Sequence, residues 1–174
     1  MAENTSTITY QMFEHACAFV DCARYCQIEP NNIKCRTKSH SVSGIVNSAF
    51  ACEIFIKTLL VFHGVPVEEL KCHDLKRLWG KFKIKDANTA LSVERGMREW
   101  FKSQNENMFD EMLNDISNAF EYWRYIYEKQ GGRINLNFLV GFRDLLRGVC
   151  CNQLFGKSWS EYEKENEIQL LIYR

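Results

Sequence analysis

Proline is almost absent from this 174-residue chain, and apolar residues recur along it at spacings of three and four. The two prolines, Pro30 and Pro66, stand where the helical periodicity stops. Proline disrupts helix interiors, and spacings of three and four place apolar side chains on one face of a helix. The sequence therefore predicts an all-α chain. One domain over residues 1–174 is expected, because no repeat, low-complexity segment or linker divides it.

Helix boundaries follow from the periodicity and from capping signals. A central helix is expected to begin at Ser41 or Ser43 and to stop at His63-Gly64, where glycine suits the left-handed conformation after a helix. Asp74 is placed to cap the next helix. The pattern predicts further helices over residues 7–27, 86–101, 105–129 and 136–154.

The remaining segments are less regular. Residues 33–41 are polar and basic and are interpreted as a loop. Ser158 and Glu161 have capping-box spacing, which favours a short terminal helix. Residues 168–173 are compatible with a helix or a strand.

Charge and hydropathy limit the class of protein. The 22 basic and 22 acidic side chains cancel, so a strong sequence-independent nucleic-acid binder is not expected. No run of about 18 apolar residues and no secretory signal is visible, which predicts a cytoplasmic protein outside the membrane. The eight cysteines are then expected to be free thiols.

Standard enzyme and metal motifs are missing from the sequence. There is no CxxC pair, no GxSxG motif and no phosphate-binding glycine loop. His15, Cys22 and Cys26 project from similar angles of the first helix, with Cys35 in the loop nearby, but buried packing is the usual role of free cysteine. No metal site and no cofactor are predicted.

Ionisable residues interrupt the apolar helices at two places. Glu53 and Lys57 lie four residues apart on the central helix, in the order that favours an intrahelical ion pair. Arg124 and Glu128 have the same spacing on the long helix predicted over residues 105–129. His73 directly precedes Asp74, at the start of another helix.

Two interpretations of these residues stay open. In the structural one, Glu53 or Glu128 neutralises Arg124, and His73 and Asp74 cap a helix. In the functional one, Glu53, Lys57, His73 and Arg124 form a polar pocket between helices that binds the phosphate of a nucleotide or RNA.

The middle of the chain also carries a recognisable order of motifs. Residues 53–60 read E-I-F-I-K-T-L-L, followed by Gly64 and then by H-D-L-K-R-L from His73. This order resembles HEPN domains (higher eukaryotes and prokaryotes nucleotide-binding), and residues 120–128 resemble a stretch of uncharacterised bacterial members. The resemblance covers residues 41–129. It implies an up-and-down helical bundle of four to five long helices plus short helices, often as a homodimer.

The resemblance also implies a function. Many members look like metal-independent ribonucleases, with an arginine four to six residues before a histidine on a late helix. Here Arg143 on the last long helix is followed by no histidine. A non-catalytic or degenerate member is therefore expected, which binds a nucleotide, RNA or a protein partner such as a nucleotidyltransferase or antitoxin. The setting implied is a bacterial defence or toxin–antitoxin-type module.

Two alternatives stay open beside this expectation. One is a metal-independent endoribonuclease with a rearranged site, in which Asp74 orients His73 and Arg143 or Arg124 supplies positive charge. The other is a structural dimerisation module, because aromatic side chains favour interfaces. The aromatic residues that suggest self-association are Trp100, Tyr122, Trp123, Tyr125 and Trp159.

Overall fold

The chain is all-α, as its periodicity predicts. A computed structural model describes residues 2–27 and 39–172, with side chains described over 6–26 and 41–166; within these ranges no strand is formed. The α-helices are α1 (Ala2–Gln27), α2 (Ser39–Phe62), α3 (Leu75–Lys85), α4 (Ala87–Trp100), α5 (Met108–Ile116), α6 (Ala119–Arg124), α7 (Leu136–Phe155) and α8 (Trp159–Ile172). Short 3-10 turns lie at Val67–Leu70 and Ile126–Glu128.

The core is built around α2. α1 runs antiparallel to it, since the ring of Phe13 lies 6.0 Å from that of Phe55 and the ring of Phe19 lies 4.6 Å from that of Phe50. α7 runs in the same direction as α2, because Arg143 contacts Ser48 whereas the later Cys150 contacts Phe55. The buried apolar side chains of these helices and of α3–α6 form one cluster.

The central position of α2 explains its composition. Residues Ser41–Phe62 are long and apolar enough to cross a membrane, the one such stretch in the described part of the chain, but 67% of that window is buried inside the fold. A helix that is apolar on most of its surface is expected where several neighbours cover it. Here α1, α3, α6 and α7 pack against α2.

The prediction of a single long helix over residues 105–129 is wrong. α5 ends at Ile116 and α6 begins at Ala119, because Ser117 is bound to the start of α3. Its carbonyl accepts from the backbone N–H of Leu75 at 2.9 Å, and its hydroxyl donates to Asp74 Oδ1 at 2.6 Å. Tyr127, within the predicted helix, is 76% exposed beyond the end of α6.

Several boundary predictions are confirmed. α2 gives way to a turn at His63-Gly64, with φ +80° at Gly64. Asp74 caps α3 by accepting from the backbone N–H of Arg77 at 2.8 Å. The Ser158–Glu161 capping box forms at the start of α8, and this helix extends to Ile172.

Other boundary predictions need correction. α1 begins at Ala2 rather than at residue 7, and α2 begins at Ser39, which places Ser41 and Ser43 inside the helix. In α4, Leu91 is exposed and Val93 is buried in its place. Residues 28–38, which hold most of the predicted basic loop, lie outside the described residues.

Trp100 is 57% exposed, and its indole packs against Gly141 of α7. The contact is made possible by Gly141, since a Cβ on this residue would lie only 1.3 Å from an indole carbon of Trp100. The absence of a side chain at Gly141 therefore allows the end of α4 to pack against the first half of α7.

Candidate functional site

The candidate site is centred on a buried carboxylate. Glu53 faces inward from α2 and is only 1% exposed. Lys57 Nζ, one helical turn later, donates to Glu53 Oε1 at 2.7 Å. His73 Nδ1 lies 3.0 Å from Glu53 Oε2. A buried charge requires such partners, and here two cationic or protonatable groups share one carboxylate. We call these three residues the Glu53 cluster.

The segment before α3 positions His73. The backbone is fixed on its C-terminal side by Asp74, which accepts hydrogen bonds from the Arg77 N–H and the Ser117 hydroxyl. These bonds direct the Asp74 carboxylate to the start of α3. The partner of His73 is Glu53 instead, so Glu53 has the orienting position that the rearranged ribonuclease site gave to Asp74.

A cavity of about 520 Å³ lies beside the Glu53 cluster. Lys57 and His73 line it together with the exposed Lys71 and Glu68, and the apolar part of its wall includes Met12 and Leu70. Ligand pockets commonly combine an apolar wall with a few fixed polar groups, and this volume is within their usual range. The cavity therefore presents two nitrogen-bearing side chains that a buried carboxylate holds in place.

An aromatic stack borders His73. The ring of Phe120 lies 5.4 Å from the imidazole and stacks on Phe50 at 4.6 Å. The guanidinium carbon of Arg124 lies 4.9 Å from the centroid of Phe120 and 4.7 Å from that of Tyr125. These rings hold Arg124 by cation–π contacts. The predicted ion pair of Arg124 with Glu53 or Glu128 is not formed between these described residues.

Arg143 is placed elsewhere. It is 1% exposed on α7, where Nη1 donates to Ser48 Oγ at 2.9 Å and Nε donates to Asp144 Oδ1 at 3.0 Å. Among the described residues, none of its hydrogen bonds or ion pairs involves the Glu53 cluster. The structure therefore brings together Glu53, Lys57 and His73, places Arg124 across Phe120, and separates Arg143 from them.

Arg143 belongs to a second ionic cluster, which sequence reasoning missed. Arg24 Nη2 lies 3.7 Å from Asp144 Oδ2, and Arg147 Nη2 lies 3.7 Å from Asp144 Oδ1. We call Arg24, Arg143, Asp144 and Arg147 the Asp144 cluster. Three of its members stand within five residues on an otherwise apolar helix, which is the signal that points to a buried charge network. Arg24 comes from α1, and nothing in its local sequence indicates the contact.

Arg147 is the least satisfied member. Its Nε and Nη1 are buried without a hydrogen-bond partner among the described residues, and its guanidinium carbon lies 4.1 Å from the centroid of Trp159. Burial, with the nearby charge of Arg24, lowers the pKa of Arg147. An unpaired buried guanidinium is costly, so this arrangement requires an explanation.

Burial lowers the reactivity of the described cysteines Cys17 and Cys150. Burial raises the pKa of Cys17 to about 12, and burial also raises the pKa of Cys150. A raised pKa keeps the thiol protonated and weakly nucleophilic. Within the described residues, no group of three or more His, Cys, Asp or Glu side chains has a metal-binding arrangement. Cys22 is exposed rather than packed in the core, and Cys35 lies outside those residues.

Comparison with protein-family models, with curated proteins and with solved structures finds no match to the chain. Function is therefore inferred from the geometry of the residues themselves.

Proposed function

We propose that the chain is a HEPN-like, non-catalytic protein that binds a phosphate-bearing ligand, a nucleotide or RNA, in the cavity beside the Glu53 cluster. The observation that carries this proposal is the buried carboxylate of Glu53, which holds Lys57 and His73 on the cavity wall. The HEPN resemblance of residues 41–129 adds a bacterial defence or toxin–antitoxin-type module as the biological setting.

The charges of the cluster suit an anionic ligand. Lys57 is a compact point charge of the kind that binds phosphate, and Glu53 fixes its position. Lys57 and His73 both bring nitrogen-bearing side chains to the cavity wall, where an anion can bind.

The aromatic border supports the same ligand class. Arg124 is exposed above Phe120 and Tyr125, and Tyr125 is itself 41% exposed. Planar bases stack on aromatic and guanidinium faces, while phosphates pair with cations. Arg124 is therefore assigned to the approach to the cavity, not to its interior.

The resemblance extends the proposal to assembly. In this proposal the protein is a cytoplasmic homodimer and binds a protein partner such as a nucleotidyltransferase or antitoxin. Exposed aromatic side chains provide surfaces for such contacts, with Trp100 57% and Tyr127 76% exposed.

A second candidate function is a metal-independent endoribonuclease with a rearranged site. Glu53 binds Nδ1 of His73, which directs Nε2 away from the carboxylate, and this is the arrangement of an oriented general base. In that reaction Nε2 accepts the proton of a ribose 2′-hydroxyl, whose oxygen attacks the adjacent phosphorus. The 5′-oxygen leaves and takes up a proton, while Lys57 stabilises the phosphate charge.

Two measurements on the purified protein test both candidates. Thermal unfolding is recorded with mononucleotides and with a short RNA, for the wild type, Lys57→Met and the exposed control Lys164→Met. We expect the ligand to raise the Tm of the wild type and of Lys164→Met more than that of Lys57→Met, because a ligand that binds the native state stabilises it. Circular dichroism establishes that each variant is folded.

The second measurement incubates structured and single-stranded RNA with the protein in excess chelator. Non-catalytic binding predicts intact RNA. Cleavage that disappears in His73→Ala and weakens in Glu53→Gln would establish the ribonuclease instead. A folded protein that shows neither stabilisation nor cleavage contradicts both candidates and leaves the structural dimerisation module, which requires a dimer by light scattering.

A further inference from the structure

The Asp144 cluster holds more positive charge than its carboxylate neutralises. Arg24, Arg143 and Arg147 all lie within ion-pair distance of Asp144. Three guanidinium groups and one carboxylate give a formal charge of about +2, since arginine stays protonated in proteins. Such an excess is costly at a site where Arg143 is 1% and Arg147 is 4% exposed.

The distances show which arginines lack a partner. Arg143 makes true hydrogen bonds, to Ser48 at 2.9 Å and to Asp144 at 3.0 Å. Arg24 and Arg147 each stay 3.7 Å from the same carboxylate, beyond hydrogen-bond length. Two guanidinium groups therefore converge on one carboxylate, and the buried Nε and Nη1 of Arg147 have no hydrogen-bond partner among the described residues.

Two described acidic side chains near the cluster have other partners. Glu14 accepts from the Tyr162 hydroxyl at 2.7 Å, and Glu161 accepts from the Ser158 hydroxyl at 2.7 Å. Among the described residues, Asp144 is the one carboxylate that forms an ion pair with Arg24 or Arg147. The described residues thus supply no second anion there.

One side of the Asp144 cluster is exposed to solvent. The side chains of Arg24 and Asp144 are 38% and 36% exposed, whereas that of Arg147 is 5% exposed beneath them. Trp159 supports the guanidinium of Arg147 from its own side. Arg24 and Arg147 thus approach the same carboxylate, Arg24 from a partly exposed position and Arg147 from a buried one.

We propose that Arg24 and Arg147, supported by Arg143, form a binding site for a small phosphate-type oxyanion, either inorganic phosphate or the phosphate group of a mononucleotide. Guanidinium groups bind phosphate oxygens with short, charge-assisted hydrogen bonds, often in pairs. The anion supplies an acceptor for the unpartnered donors of Arg147 and offsets the excess charge. This site shares no residue with the Glu53 cluster and does not depend on the proposed function.

The test is direct titration of the full chain with inorganic phosphate, followed by ³¹P NMR and calorimetry in chloride buffer of matched ionic strength. We expect saturable binding to the wild type and binding at least about tenfold weaker in Arg147→Met and in Arg24→Met, since each variant loses charged hydrogen bonds. Arg77→Met, which removes an exposed arginine on α3 outside both clusters, serves as the matched control and is expected to bind phosphate as the wild type does. Lys57→Met is titrated beside it to report any binding at the Glu53 cluster.

The outcomes separate the sources of the phosphate group. Binding of adenosine monophosphate more tightly than inorganic phosphate, with adenosine alone silent, identifies a nucleotide ligand at this site. Equal binding identifies free phosphate. The proposal is overturned if the wild type shows no saturable binding, or if neither arginine variant weakens it. Weakening by Lys57→Met alone would overturn it too and assign the phosphate to the Glu53 cluster. Because Arg24 is partly exposed, its variant keeps the test valid if Arg147→Met does not fold.

Discussion

The Glu53 and Asp144 clusters solve the problem of buried charge in opposite ways. In the first, a carboxylate that is 1% exposed has one lysine and one histidine at 2.7 and 3.0 Å. In the second, a carboxylate with 36% side-chain exposure is surrounded by three arginines, two of them at 3.7 Å. The Glu53 cluster can be electrically balanced by its own residues, whereas the Asp144 cluster cannot.

The two clusters differ in how much charge their own residues leave uncompensated. A balanced cluster contributes to folding and fixes the direction of its members, as Glu53 does for His73. A cluster with excess positive charge is suited to bind an anion, because its N–H donors are already desolvated and oriented. Mutations that remove one charge from each cluster should therefore have different costs.

The largest expected effect is that of Glu53→Ala. This variant leaves Lys57, with a side chain 16% exposed, and His73 without their buried partner. Breaking a buried pair by removing one member typically costs about 3–5 kcal/mol. Urea denaturation followed by circular dichroism measures the free energy of unfolding.

The matched control is the exposed pair formed by Lys157 and Glu165, whose side chains are 43% and 56% exposed. Glu165→Ala is expected to cost less than about 1 kcal/mol, because solvent screens such pairs. A Glu53→Ala cost as small as that of the control would show that the Glu53 cluster is not buried in solution.

A smaller loss is expected for Asp144→Asn. The substitution removes the one negative charge of its cluster and leaves the buried Arg143 beside two other arginines. We expect a loss of about 2 kcal/mol, less than for Glu53→Ala because Asp144 is partly exposed and solvent screens the change. Unfolding in low and high sodium chloride checks the assignment, since salt should reduce the repulsion. A variant as stable as the wild type at low salt would contradict it.

The smallest effect on stability is expected for Arg147→Met in phosphate-free buffer. Methionine keeps the apolar contact with Trp159 and removes an unpaired guanidinium, so the free energy of unfolding should stay within about 1 kcal/mol of the wild type. The same urea titration measures it. A cost as large as that of Glu53→Ala would mean that Arg147 is a structural partner and that its charge is already balanced.

Local sequence signals predicted a large part of this fold. The periodicity of apolar residues located α2, α3 and α7 closely, and the capping residues Asp74 and Ser158 marked helix starts because capping depends on neighbours within three residues. The same reasoning was wrong for residues 105–129, where it predicted one long helix. Their apolar stripe continues through Ser117, but a hydrogen bond to Leu75, distant in sequence, ends α5 there.

In the candidate site, too, the local contacts could be predicted from the sequence and the tertiary contacts could not. The pair of Glu53 and Lys57 was visible as an i, i+4 spacing on one helix. The partner of His73 was not, because Glu53 is 20 residues away and the choice between Glu53 and Asp74 depends on how α2 and α3 pack. Arg24 and Asp144 lie on different helices, so only tertiary structure shows that they meet.

The contact of Trp100 with Gly141 has a consequence for how relatives of this chain can change. Since any Cβ at position 141 would collide with the indole, a larger residue there can be accepted only together with a smaller one at position 100. We expect the two positions to covary across homologous sequences, with glycine at 141 wherever tryptophan occupies 100. The pair thus gives a simple marker for recognising distant sequences that share the α4–α7 arrangement.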